Sequence, residues 1–94
     1  MASVFVRFRV ADFDTWKRTF DENQRMRAAA GFKNHSVHRD ADDPNVVVIA
    51  FRAEDLARAR EFASSPELRA VQQRAGVEGP PEFWYTEDVE EKSY

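Results

Sequence analysis

The sequence predicts an α+β fold in which one four-stranded antiparallel sheet is covered by helices on a single face. Two observations carry that prediction. Short stretches rich in β-branched and aromatic residues alternate with two longer stretches of helical period, in the order strand, helix, strand, strand, helix, strand. Between the two middle strands lies Asp40-Ala41-Asp42-Asp43-Pro44-Asn45, a cluster of turn formers that reads as the loop of an antiparallel hairpin.

The first strand is Ser3 to Val10. Side chains alternate across a strand, so Val4, Val6, Phe8 and Val10 form one wholly apolar face, and Phe5, Arg7 and Arg9 form the other. A helix follows from Asp12 to Ala30. Asp12 can cap it, Asp14 suits the positive end of its dipole, and Gly31 supplies the stop. Its apolar stripe is Phe13, Trp16 and Phe20, which Asn23 and Arg27 continue in polar form. The second strand runs from Phe32 to Arg39 and the third from Asn45 to Arg52. Val46 to Phe51 is apolar on both faces, as befits a strand covered on both sides.

Glu54 to Ala63 reads as a second helix, which restarts after a break. Either Pro66 takes the first helical position after Ser65, or Ser64 and Glu67 form a capping box. Leu68, Val71, Gln72 and Ala75 line the inner face of the restarted helix, and Gly76 ends it. Gly79-Pro80-Pro81 reads as a rigid connector, and Glu82 to Val89 as a fourth strand centred on Phe83, Trp84 and Tyr85. The order βαββαβ, with its second helix broken, is the ferredoxin-like split βαβ pattern. The whole of residues 1–94 is expected to form one domain, with an acidic C-terminal tail over residues 87–94.

Composition narrows the function classes. Seventeen acidic and 14 basic residues leave a net charge of −3, which offers no electrostatic footprint for nucleic acid or an anionic membrane. With no cysteine there is no disulfide scaffold, no thiolate metal site and no cysteine nucleophile. Neither a signal peptide nor a membrane span is legible, and the expected location is cytoplasmic.

Helices on one side leave the other face of the sheet to be explained. That face would carry Phe5, residues of the third strand and part of the Phe83-Trp84-Tyr85 run, an apolar patch too large for a stable monomer. A twofold homodimer with the two sheets face to face is the expected solution.

Several segments then carry a family resemblance. They are Val10-Ala11-Asp12-Phe13-Asp14-Thr15-Trp16, Ala30-Gly31-Phe32, Val37 to Asn45 and Ala75 to Glu82. Over roughly residues 3 to 89 the chain resembles the dimeric α/β-barrel superfamily, in particular small bacterial proteins that are cyclase-like or antibiotic-biosynthesis-monooxygenase-like. The resemblance implies a homodimeric α/β barrel. It further implies a small enzyme acting without metal or organic cofactor on an aromatic or polyketide-like molecule. The competing class it leaves open is a non-catalytic or stress-associated barrel that binds a small hydrophobic ligand.

Within that reading the candidate residues follow. His35 and His38 are three apart on one strand and face opposite ways, so they cannot jointly bind a metal. His38 is the expected cavity residue and proton carrier, and Ser36 on the same face is expected to contact the substrate. Arg7 and Tyr85 are expected to hold an oxyanion, and Phe5 and Trp84 to sandwich an aromatic ring. Each has a plainer alternative: a half-exposed strand histidine, an ion pair of Arg7 with Glu82, Glu87 or Asp88, and ordinary core packing for the aromatics. Haem binding through His35 or His38 is a third, weaker alternative.

Overall fold

The computed structural model describes all of residues 1–94. Its elements are β1 (Ala2–Val10), α1 (Phe13–Glu22), α2 (Gln24–Ala29), β2 (Phe32–Arg39), β3 (Val46–Ala53), α3 (Leu56–Ala63), α4 (Pro66–Arg74) and β4 (Val77–Glu87). The strands form one antiparallel sheet in the order β2-β3-β1-β4. This is the ferredoxin-like α+β fold, with the helices on one face.

Local chemistry accounts for the helix starts. The Asp12 carboxylate accepts from the Thr15 amide at 2.9 Å, and the Asp55 carboxylate from Ala57 at 2.8 Å. Of the two starts open for α4, the chain takes Ser65 as cap, with its hydroxyl 3.2 Å from the Leu68 amide and Pro66 beginning the helix.

The stretch expected as one helix from Asp12 to Ala30 is two. At Asn23 the side-chain amide donates to the Thr19 carbonyl at 2.8 Å, and the backbone amide falls back to Phe20. The side chain thus takes the acceptor that an uninterrupted helix would give to the backbone, and the helix turns there. β4 also begins earlier than expected. Gly79-Pro80-Pro81 does not precede the strand but forms an irregularity inside it: Glu82 pairs with Arg7, and Glu78 with Arg9. The tail after Glu87 leaves the sheet, although Asp88 still bonds the Ser3 hydroxyl at 2.5 Å and its amide donates to the Met1 carbonyl at 3.1 Å.

The core lies between sheet and helices. Val4, Val6, Phe8 and Val10 of β1 and Val47, Ile49, Phe51 and Ala53 of β3 point into it. Trp16 and Phe20 of α1 cover them, in a continuous line of rings with Phe8, and the Trp16 and Phe20 rings are stacked at 4.9 Å. No helix is long and apolar enough to cross a membrane.

Candidate functional site

The sheet register decides which predicted residues meet. One row across the helix-free face runs Ser36, Ala50, Phe5, Trp84, and the next runs His38, Val48, Arg7, Glu82. Five of the six predicted site residues therefore share one face. His38 Nε2 lies 2.9 Å from the Ser36 hydroxyl. Arg7 pairs with Glu82 at 3.6 Å, the plainer alternative named for it. Phe5 and Trp84 are adjacent and remain 39% and 46% exposed in the isolated chain.

Tyr85 does not join them. Opposite Val4 in the register, it faces the helices, stacks on Phe83 at 6.0 Å and lies under the Arg60 guanidinium. Burial raises its phenol above the ordinary value, with Arg60 opposing. The sheet separates Tyr85 from Arg7 and His38, so these three do not converge on one ligand. His35 also faces the helix side, its ring edge-on to Phe20 at 5.0 Å and Phe51 at 6.0 Å. Nowhere do three or more His, Asp or Glu side chains gather so that they could hold a metal ion.

A cavity of about 80 Å³ opens between the sheet and the helices, on the face opposite the five predicted residues. Its walls are aliphatic and aromatic apart from Asn23, Arg27 and Gln72, and none of the six predicted residues lines it. Arg27 is only 8% exposed. Its guanidinium lies over the Phe20 ring, 3.5 Å from the centroid, and Nη1 donates to the Phe20 carbonyl at 2.7 Å. Burial lowers its pKa from the ordinary arginine value, with Asp21 opposing, yet a guanidinium stays charged under all ordinary conditions.

Arg27 also borders a second, more open hollow of about 300 Å³, whose polar residues are Gln24, Arg27, Lys33, Asn34 and His35. His35 is held below the ordinary histidine value, first by desolvation and then by the charges of Arg27 and Lys17, with Asp21 opposing. The signal for Arg27 was present in the sequence, as the polar continuation of the Phe13-Trp16-Phe20 stripe. Its proximity to His35 of β2 is a product of the tertiary fold.

A family model described as antibiotic biosynthesis monooxygenase matches residues 1–74. The chain belongs to that family. Solved structures with the same fold include SnoaB, a cofactor-independent oxygenase from Streptomyces nogalater. The two are 18% identical, with a TM-score of 0.75 over 96% of this chain and 94% of that one. Rv0793 from Mycobacterium tuberculosis is 17% identical, with a TM-score of 0.66 over 98% of both chains. No curated protein matches the sequence. At these identities the likeness to solved structures establishes the fold, and the family rests on the family model.

Proposed function

We propose that this family member is a small cofactor-independent oxygenase acting on an aromatic or polyketide-like molecule held between sheet and helices. The observation that carries the reading is the cavity itself, apolar on nearly every side and interrupted by Asn23, Arg27 and Gln72. At about 80 Å³ it is smaller than the ~150 Å³ engineered cavity known to accept benzene, so a ligand must displace part of the wall. The α4 side is where the wall can yield, because that helix contributes no fully buried residue.

The chemistry balances without an external reductant if the substrate itself supplies the electrons. A phenolic ring that loses its hydroxyl proton can donate electrons to dioxygen. One oxygen atom then enters the ring, the other leaves as water, and the phenol plus O2 becomes a quinone plus H2O. The protein's part is to hold the ring, exclude water and stabilise the phenolate oxygen.

In this reading the chain works as a homodimer closed through the helix-free face, where Phe5 and Trp84 are exposed. The hydrogen-bonded pair His38 and Ser36, with Arg7 in the same row as His38, favours a second reading, in which the ligand lies between the two sheets and His38 moves its proton. The test is oxygen uptake with polycyclic phenols in the presence of a chelator and no added flavin. Turnover proportional to protein and lost in Val71→Phe supports the cavity; turnover lost in His38→Ala but kept in Val71→Phe supports the sheet face. Uptake no faster than with heat-denatured protein rejects both.

A further inference from the structure

We infer that Arg27, at the boundary between the apolar cavity and the polar hollow, is a recognition site for a carboxylate, and that the ligand is an apolar ring bearing an acid group. The inference rests on the reading of the cavity as the ligand site and adds the chemical class that the site selects.

Arg27 has no carboxylate within ion-pair distance. Asp21, whose charge acts on it from farther off, is itself paired with Lys17 at 2.7 Å. A buried charge left so is costly unless something completes it. Of its nitrogens only Nη1 is engaged, with the Phe20 carbonyl. Yet no buried side-chain nitrogen or oxygen in the chain is sealed without a partner. Nε and Nη2 are therefore not sealed off, in a residue that lines both spaces, and they form the edge of the guanidinium that meets a carboxylate with two parallel hydrogen bonds.

The surroundings fit the same ligand. Phe32 and Phe51 line both spaces, so a ring resting on them has the cavity at one end and the hollow at the other. Lys33 adds a second cation at the hollow but is already paired with Glu54 at 2.7 Å. His35, held below the ordinary histidine value first by desolvation and then by Arg27 and Lys17, can donate or accept a hydrogen bond as a neutral ring without adding repulsion.

The experiment compares benzoate with benzyl alcohol, an uncharged molecule of similar shape, by NMR titration of the intact protein. The expected result is that benzoate binds about tenfold or more tightly, the scale of a charge-assisted bidentate contact. Arg27→Gln should remove that preference, and Arg27→Lys should keep part of it, since a point charge lacks the fork.

A readout on the wild type guards against a variant that fails to fold. A carboxylate beside Arg27 offsets the cationic field on His35 from Arg27 and Lys17, to which Asp21 is the existing counterweight, so benzoate should raise the His35 pKa and benzyl alcohol should not. If benzyl alcohol binds as well as benzoate, or Arg27→Gln retains the preference, the carboxylate site is overturned while the cavity stands as a ligand site. If neither molecule binds, both fall.

Discussion

Phe5 and Trp84 stand directly opposite each other in the β1–β4 register, on the one face of the sheet that no helix covers. Hydrophobic side chains of this size, left open beside Val48 and Ala50, form a surface that water covers at a cost. Phe5→Glu places a charge at the centre of that patch without touching the core. Light scattering should find the wild type at twice the 10.9 kDa chain mass and the variant at the chain mass, with an unchanged circular dichroism spectrum. A monomeric wild type would refute the face-to-face dimer.

Acid should destabilise the fold in two stages. His35, Asp12, Asp43 and Glu54 all have pKa values lowered by the fold: His35 chiefly by desolvation, Asp12 by hydrogen bonds from Thr15, Asp43 by the Asn45 amide and Arg9, and Glu54 by Lys33. The folded chain thus holds these protons more weakly than the unfolded chain, unfolding takes protons up, and stability falls as pH falls. The His35 stage begins as pH drops through 6.5, and the carboxylate stage as it drops through 4.5 to 3.8. Urea midpoints at about pH 7.5 and about pH 5.5 should differ for the wild type and coincide for His35→Gln. An equal decline in the variant would remove His35 as the cause.

Gly31 closes α2 at φ +91°, and its carbonyl accepts from the Glu54 amide at 3.1 Å, tying the start of β2 to the end of β3. An added Cβ would meet Arg58 Nη1 at 3.2 Å, but that exposed side chain can give way and the backbone cannot. Gly31→Ala should therefore cost about 1–2 kcal/mol, almost wholly as backbone strain. In a chain of this size that lowers Tm by roughly 4–8 °C per kcal/mol, measurable by calorimetry. An unchanged Tm would mean that the turn relaxes without strain.

Val71 projects from α4 into the cavity wall and is only half-buried. Val71→Phe fills space that the ligand needs. Benzyl alcohol binding should weaken about tenfold or more while the unfolding free energy stays within ~1 kcal/mol of wild type. Undiminished binding would place the ligand elsewhere.

The faces of the first strand, the helix cap at Asp12, the Gly31 and Gly76 stops and the hairpin were legible from the sequence, because each follows from rules acting over a few residues. For α4 the sequence left two starts open, of which the chain takes Ser65. The break at Asn23 was not legible, since its side chain is as compatible with the surface of a continuous helix as with a turn. The parity of Trp84 and Tyr85 was not legible either. Alternation says that the two face opposite ways, but which one faces the helices depends on the register of β4 against β1, a pairing across most of the chain. The same limit hid the site chemistry: Arg27 announces itself as a polar residue in an apolar stripe, whereas its neighbour His35 comes from the next element of the fold.

The prolines within β4 bear on how the molecule behaves in concentrated solution. β4 is one border of the sheet, and a border strand offers unpaired amides on which another chain can grow a fibril. Pro80 and Pro81 have no amide hydrogen to offer, and Gly79 beside them, at φ +74°, bends the strand out of line. At the other border, β2 carries Lys33, Asn34, His35, His38 and Arg39, whose charge and polarity resist stacking. Both margins thus discourage end-on accretion, so that the exposed face of Phe5 and Trp84, and not a strand border, is the apolar surface open to another molecule.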